Sequence, residues 1–320
     1  MKIAKWKSFT FATGLSLAAL VFATGAASSD VAPEDYQLRV VSHNIEGGNG
    51  FHGGGEALDG VEAQIVAFNP DVVMLEEVCA SQYEAFKARH SDWNVYFTQM
   101  TDNQRTCEGS GDPDRRQGQM LASTHSLTNV TTHALSAPQQ ADYSDGEERL
   151  LRFKLMCADV KIGSRADDAL RACVTHLRAG TDADDHTVRE AQTAEIHRIL
   201  HDRIWTQGQA VTVAGDFNAV PNWNAMNAMY YLQKNGTFGG DGDFHEADQT
   251  DVKFFDNRGP SVTCGSTVCR TGERTYASAT KLDYAFISRN VTHGGVVSAL
   301  APDRYGSDHY LYRALFNIRF

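Results

Sequence analysis

VTVAGDFNAVP, from Val211 to Pro221, runs five strand-like residues straight into a carboxylate, Asp216, with a carboxamide, Asn218, two positions further on. Residues i and i+2 of an extended chain point to one side, so the two polar groups would share a face at the strand's tip. A turn accounts for them equally well, because Asp and Asn initiate loops and cap helices. Taken alone the stretch fits both readings, and the surrounding chain has to decide between them.

Location is legible first. MKIAKWKSFT carries three lysines and no acid, FATGLSLAALVFATGAAS is a short apolar run, and Gly25-Ala26-Ala27 offers small residues for cleavage. These are the three parts of a secretory signal peptide, assigned to residues 1–27. An uncleaved anchor is the competing reading, but no basic stop-transfer flank follows, and no later run is long and apolar enough to span a bilayer. The expected product is secreted, extracellular or periplasmic, with no stable membrane anchor. Residues 28–37 read as a linker and 38–320 as one domain.

The whole chain has 29 Lys and Arg against 40 Asp and Glu, a net charge of −11. Removing the three leader lysines leaves 26 basic residues and a charge of about −14. Such a protein does not gather polyanions through its overall field, so any phosphate it handles must be held by a local device such as a metal ion. Six cysteines in an exported chain point to disulfides and allow about 15 pairings. Local pattern suggests Cys264–Cys269 across CGSTVC and Cys157–Cys173 across a hairpin-like pair of strands, which leaves Cys79 with Cys107. A zinc site is the alternative, without a Cys-x-x-Cys pair to support it.

Strand-like runs are QLRVVSHNI, DVVMLEEV, WNVYFTQM, GQMLAST, LTNVTTHAL, RLLRFKLMCADVKI, RACVTHL, VTVAGD, KLDYAFIS, HGGVVSAL and HYLYRALFNI. Helical spacing covers Glu56–Phe68, Ala80–Arg89, Asp184–Trp205 and a short stretch from Asn222 to Gln233, with Trp93 and Trp205 read as core. No repeat or interior linker divides the chain. The pattern is one α/β domain with mixed, largely antiparallel sheets.

Polar residues recur where these strands end: Asn44, Glu76 and Glu77, His176, Asp216 and Asn218, Asp283, and Asp308 with His309. Each has a bland reading as a cap or a surface group. Together, in order, SHN, LEEV, VTHL, GDFN, LDYAFIS and SDHY resemble the endonuclease/exonuclease/phosphatase superfamily, which includes deoxyribonucleases, abasic-site endonucleases, neutral sphingomyelinases and inositol-phosphate phosphatases. The likeness spans about residues 38–318, and GDFN with a distal SDH is its most specific part.

The resemblance implies a four-layered α/β sandwich with two central mixed, largely antiparallel sheets flanked by helices. It makes Glu77 the main divalent-metal ligand, with Asn44 and Asp308 completing the metal and phosphate environment. Asp216 would orient or deprotonate the attacking water, and Asn218 would hold a phosphate oxygen. His309, buttressed by Asp283, and His176 would contact the phosphate. The expected ion is Mg²⁺ or Mn²⁺, with Ca²⁺ as an auxiliary possibility, and the expected partner is nucleic acid as substrate, cut by a monomer. Chemistry supports the donor types independently: oxygen ligands suit a hard cation, and a His–Asp pair supplies donors where negative charge develops. Three positions depart from the family pattern. Glu76 stands in place of the usual Gln, and strand alternation lets only one of Glu76 and Glu77 face the site, for which Glu77 is chosen. His43 takes a place often held by an apolar or aromatic residue and reads as structural. Around DRRQGQM, Arg115, Arg116 and Gln117 are the candidates for a phosphate contact. A phospholipid or a small phosphoester remains the alternative substrate.

Overall fold

The structure, a computed structural model, describes residues 34–47, 56–108, 114–142, 149–163, 169–234, 239–248 and 270–320. In chain order they form β1 (Asp35–Asn44), α1 (Glu56–Phe68), β2 (Val72–Cys79), α2 (Ala80–Arg89), β3 (Asn94–Thr101), β4 (Gln117–Ser123), β5 (Leu127–Asp142), β6 (Arg149–Lys161) and β7 (Ala169–His176). There follow α3 (Ala183–Trp205), β8 (Ala210–Asp216), β9 (Phe244–Glu246), β10 (Asp283–Ser288), β11 (Thr292–Leu300) and β12 (Tyr312–Arg319). The signal peptide and the Cys264–Cys269 pair lie outside the described residues. Within them, no helix is long and apolar enough to cross a membrane.

Among the described residues the strands make two six-stranded sheets, ordered β11-β12-β1-β2-β4-β3 and β5-β6-β7-β8-β10-β9. Each contains one parallel pair near its centre, β1 with β2 and β7 with β8, and its other pairs are antiparallel. The central strands are apolar at successive positions because both of their faces are covered. Leu38, Val40, Val72 and Met74 of the first sheet meet Leu170, Ala172, Val174 and Ala214 of the second in an inter-sheet core. The intervening residues face outward: Val41, Val73 and Leu75 pack with Leu58 and Val61 of α1 and Phe86 of α2. On the far side Val211 and Val213 pack against Ile196, Leu200 and Ile204 of α3. Helix, sheet, sheet and helix give the four-layered sandwich.

Two of the three expected disulfides fall within the described residues, and both are present: Cys79–Cys107 and Cys157–Cys173. Cys157 and Cys173 are opposite each other in the β6–β7 register. Two expectations fail. The stretch from Asn222 to Gln233 forms only a 3₁₀ turn, Asn224–Ala228, because Tyr230 and Tyr231 leave it to pair with Phe244 of the short β9. Trp205 is not core; it is 44% exposed, and its indole N–H reaches Asp243.

Candidate active site

Period-two alternation carries the inter-sheet face of three strands to a polar last position, and two more strands bring a carboxylate to the same edge. On β1 the series is Leu38, Val40, Ser42, Asn44; on β7 it is Leu170, Ala172, Val174, His176; on β8 it is Ala210, Thr212, Ala214, Asp216. On β2, Val72 and Met74 lead to Glu76, and on β10 Asp283 precedes Ala285 and Ile287. The two parallel pairs end at the same edge, and β10 starts there because it runs antiparallel to β8. One rung therefore reads His176, Asp216, Asp283 across β7, β8 and β10, and another pairs Asn44 with Glu76. At this edge a cavity of about 840 Å³ opens, and Asn44, Glu77, His176, Asp216, Asn218, Asp308 and His309 all line it.

The GDFN turn resolves the ambiguity of its sequence by doing both jobs. Asp216 Oδ1 accepts the Asn218 backbone N–H at 2.8 Å, which makes the turn, and Asn218 takes a positive φ of 49° that Asn tolerates. Asp216 Oδ2 faces the cavity, where Asn44 Nδ2 lies 3.2 Å away, His176 Nε2 3.6 Å and His309 Nε2 3.7 Å. The two imidazole distances exceed a direct hydrogen bond and leave the oxygen able to take a further donor. Asn218 Nδ2 donates to the Leu177 carbonyl at 3.0 Å, and its second hydrogen is available to the cavity.

His309 is placed by the preceding serine. Ser307 Oγ donates to the Asn44 carbonyl at 2.7 Å and accepts the His309 N–H at 3.0 Å, latching the last loop to the end of β1. The imidazole Nδ1 bonds Asp283 Oδ2 at 2.8 Å, while Thr275 Oγ1 accepts the backbone N–H groups of Leu282 and Asp283. Burial works against a charged ring, but the carboxylates of Asp283 and Asp216 prevail and push its pKa up to about 10. Asp216 is itself raised by burial, with His309 opposing and Asp283 adding to the rise. Beneath them His43, held neutral by burial with a pKa near 3, contacts the His309 carbonyl, a structural role.

Glu77 reaches the cavity because β2 breaks its own alternation. The register with β4 shifts between Leu75 and Val78, and Glu77 has a φ of 56°, in the left-handed region. This bulge turns Glu77 toward Asn44, whose Nδ2 donates to Glu77 Oε1 at 3.0 Å. Glu76 keeps the inward direction of Val72 and Met74 and lies fully buried, its carboxyl held well above the ordinary range first by burial and then by Asp283 and Asp216. Of the pair only Glu77, the one chosen from the sequence, lines the cavity, though a bulge rather than regular alternation puts it there.

Sequence reasoning missed Glu46 and Tyr276. Glu46 lines the cavity and its Oε2 accepts the Asp308 N–H at 3.0 Å. Its spacing of two from Asn44 repeats the Asp216–Asn218 pattern and was a usable signal. Tyr276 packs its ring 4.8 Å from that of His309, and burial first, then the nearby Asp308, raise its phenol pKa. Of the three candidates near DRRQGQM, Gln117 lines the cavity. Arg115 is spent on Glu108 and Asn103, and Arg116 on Asp114.

Glu46, Glu77 and Asp308 converge on the cavity without a lysine or arginine among its described lining residues. Asp308 is pushed up to about 6, mainly by burial, with His309 opposing and Glu46 and Glu77 adding repulsion. Such a set of strained oxygen donors fits a hard divalent cation, which would relieve the repulsion. Asp216, Asp283 and His309 also bring donor atoms within 4.8 Å of one another. They are the poorer cradle, because Nδ1 of the charged ring is already committed to Asp283. Asn44 Oδ1 accepts the Glu46 N–H at 3.1 Å, so its amide aligns both Glu77 and Asp216.

A family model described as Endonuclease/Exonuclease/phosphatase family matches residues 41–309. A search of curated proteins found no match. Among solved structures, the human Nocturnin catalytic domain with bound sulfate anion superposes with a TM-score of 0.61 at 16% identity, covering 89% of this chain and 97% of that one. An endonuclease/exonuclease/phosphatase from Beutenbergia cavernae gives 0.56 at 18% identity, covering 88% and 72%. D. rerio TDP2 complexed with single strand DNA product gives 0.54 at 17% identity, covering 88% and 99%. At these identities the likeness is one of fold.

Proposed function

The chain belongs to the Endonuclease/Exonuclease/phosphatase family, and from that premise we propose that it is a secreted, divalent-metal-dependent phosphodiesterase acting as a monomer, with nucleic acid as its substrate. The observation that carries this reading is the convergence of Asp216 Oδ2, Asn44 Nδ2 and the Nε2 atoms of His176 and His309 on one point of the cavity. The DNA-product complex of D. rerio TDP2 supports the substrate class. A divalent ion (Mg²⁺ or Mn²⁺) held by Glu77 and Asp308, with Glu46 beside them, would polarise the phosphoryl oxygen and offset its charge.

The chain's own groups supply the rest. Asp216, made more basic by burial, orients a water and draws its proton through Oδ2, while its Oδ1 stays fixed in the turn. His309, kept charged by Asp283, donates from Nε2 to a phosphate oxygen as negative charge builds, and His176 does so from the other side. Asn218 contributes its remaining amide hydrogen. None of these donors depends on a basic surface, which reconciles phosphate chemistry with an acidic protein.

The cavity is compatible with a second substrate class as well. Met100, Leu151, Phe153, Leu177, Val220 and Trp223 form an apolar side of the cavity, which suits a nucleobase or the body of a small or lipid phosphoester. A substrate panel in Mg²⁺ separates the two. Turnover of DNA or RNA oligonucleotides supports the nuclease reading, whereas turnover of sphingomyelin or inositol phosphates with intact oligonucleotides replaces it.

A further inference from the structure

On the outer side of the second sheet, α3 places His197 and His201 one turn apart, so that both face the segment leading into β9. There His197 Nε2 lies 2.8 Å and His201 Nδ1 2.7 Å from the same atom, Asp243 Oδ2. The other carboxylate oxygen, Oδ1, is held by the Trp205 indole N–H at 2.7 Å. The backbone is fixed as well, because the Arg289 N–H donates to the Asp243 carbonyl at 2.9 Å. The Arg289 guanidinium stacks 3.4 Å from the centre of the Tyr231 ring and 5.3 Å from that of Trp205, leaving the carboxylate to the two histidines and the indole. Burial is graded: the Asp243 side chain is 9% exposed, His197 26% and His201 48%. The set is thus anchored on the inside and open to solvent on one side.

We propose that His197, His201 and Asp243 form a second metal site, independent of the active site and selective for a borderline transition ion such as Zn²⁺. Two imidazole nitrogens and one carboxylate oxygen, all within 4.8 Å of one another, are the donors such an ion takes, with water at the open fourth position. The i,i+4 histidine pair puts both rings on one helical face, a spacing that zinc-binding helices use. Trp205 holds the carboxylate in the way that outer-shell groups orient metal ligands. Mg²⁺ prefers all-oxygen surroundings, so the two sites would sort their ions by donor type. His197 is 11 residues along α3 from His186, whose ring packs on the cavity's Trp223, a distance of roughly 16 Å at the helical rise. The ion would therefore tie α3 to the start of β9 rather than take part in catalysis.

The test uses the full folded chain carrying Glu77→Ala, which disables the active-site donors. Zn²⁺ is titrated by calorimetry in millimolar Mg²⁺, and Co²⁺ binding is followed by visible absorption. One equivalent should bind, with imidazole-type bands for Co²⁺ and a rise in melting temperature. Adding His201→Gln, a half-exposed position that does not threaten folding, or His197→Gln should weaken binding at least 10-fold and remove that rise. In the chain with Glu77 intact, His201→Gln should leave Mg²⁺-dependent activity unchanged. Absence of Zn²⁺ binding, or binding indifferent to both histidine substitutions, would overturn the proposal.

Discussion

His309 and Asp283 set the ionisation on which the site depends. A histidine whose pKa rises from 6.5 to about 10 on folding keeps its charge through the neutral range and loses it only above that. The sign for stability follows: the contribution is fully present below pH 6.5 and disappears as pH rises through about 10. Activity should accordingly persist to about pH 9, and Asp283→Asn should move its alkaline limb down by at least one unit. A pH–rate profile checks this; a wild-type limb near 7, or one that Asp283→Asn leaves in place, would contradict the assignment. His309→Gln removes the charged donor itself and should lower kcat by about 10²–10³, as loss of an oxyanion donor does elsewhere. Single-turnover rates in saturating Mg²⁺ measure it. That these residues stand at or beside strand ends was legible in the sequence, but only the ordered motifs suggested that they meet. Glu46 carried a weaker signal, its spacing of two from Asn44, because it lies past the strand's last residue and before a glycine-rich run, where alternation carries little information.

At the scale of elements, local departures from regular strand geometry aim the groups that line the cavity. Gly215 has a φ of 144°, and a Cβ there would sit 1.9 Å from the Thr175 carbonyl oxygen on the neighbouring β7. The glycine before Asp216 is thus required by close strand approach and by backbone conformation together. Gly215→Ala should destabilise the fold by roughly 3 kcal/mol or more, because backbone rather than a movable side chain must shift. It should also lower activity by displacing Asp216. Thermal melts beside kinetics test this, and a melting temperature within a degree of wild type would show the turn to be more permissive than its geometry implies. Helices α1, α2 and α3 announce themselves by 3.6-residue spacing over ten residues or more. The bulge at Glu77, the three-residue β9 and the 3₁₀ turn at Asn224–Ala228 do not, since each is decided by pairing with distant strands.

For the whole molecule, charge and site have to be reconciled. With 40 acidic and 29 basic residues, and no lysine or arginine among the described residues lining the cavity, the proposed function requires attraction for a phosphodiester to be local. Counterion release should then be small. Raising monovalent salt from 50 to 200 mM at constant free Mg²⁺ should change KM for an oligonucleotide by less than about tenfold, against about 10³–10⁵ in affinity for a protein with many phosphate contacts. A steep dependence would point to a basic track outside the described residues. The proposal of secretion belongs to this scale too: N-terminal sequencing of protein recovered outside the cytoplasm should find residues 1–27 removed, and an intact N-terminus would contradict it. The most direct measurement is the conversion of supercoiled plasmid by purified protein in Mg²⁺, run beside EDTA and Asp216→Ala. The account predicts nicking that requires both the metal and Asp216. Nicking that survives either control, or intact plasmid alongside turnover of lipid or inositol phosphates, would contradict it.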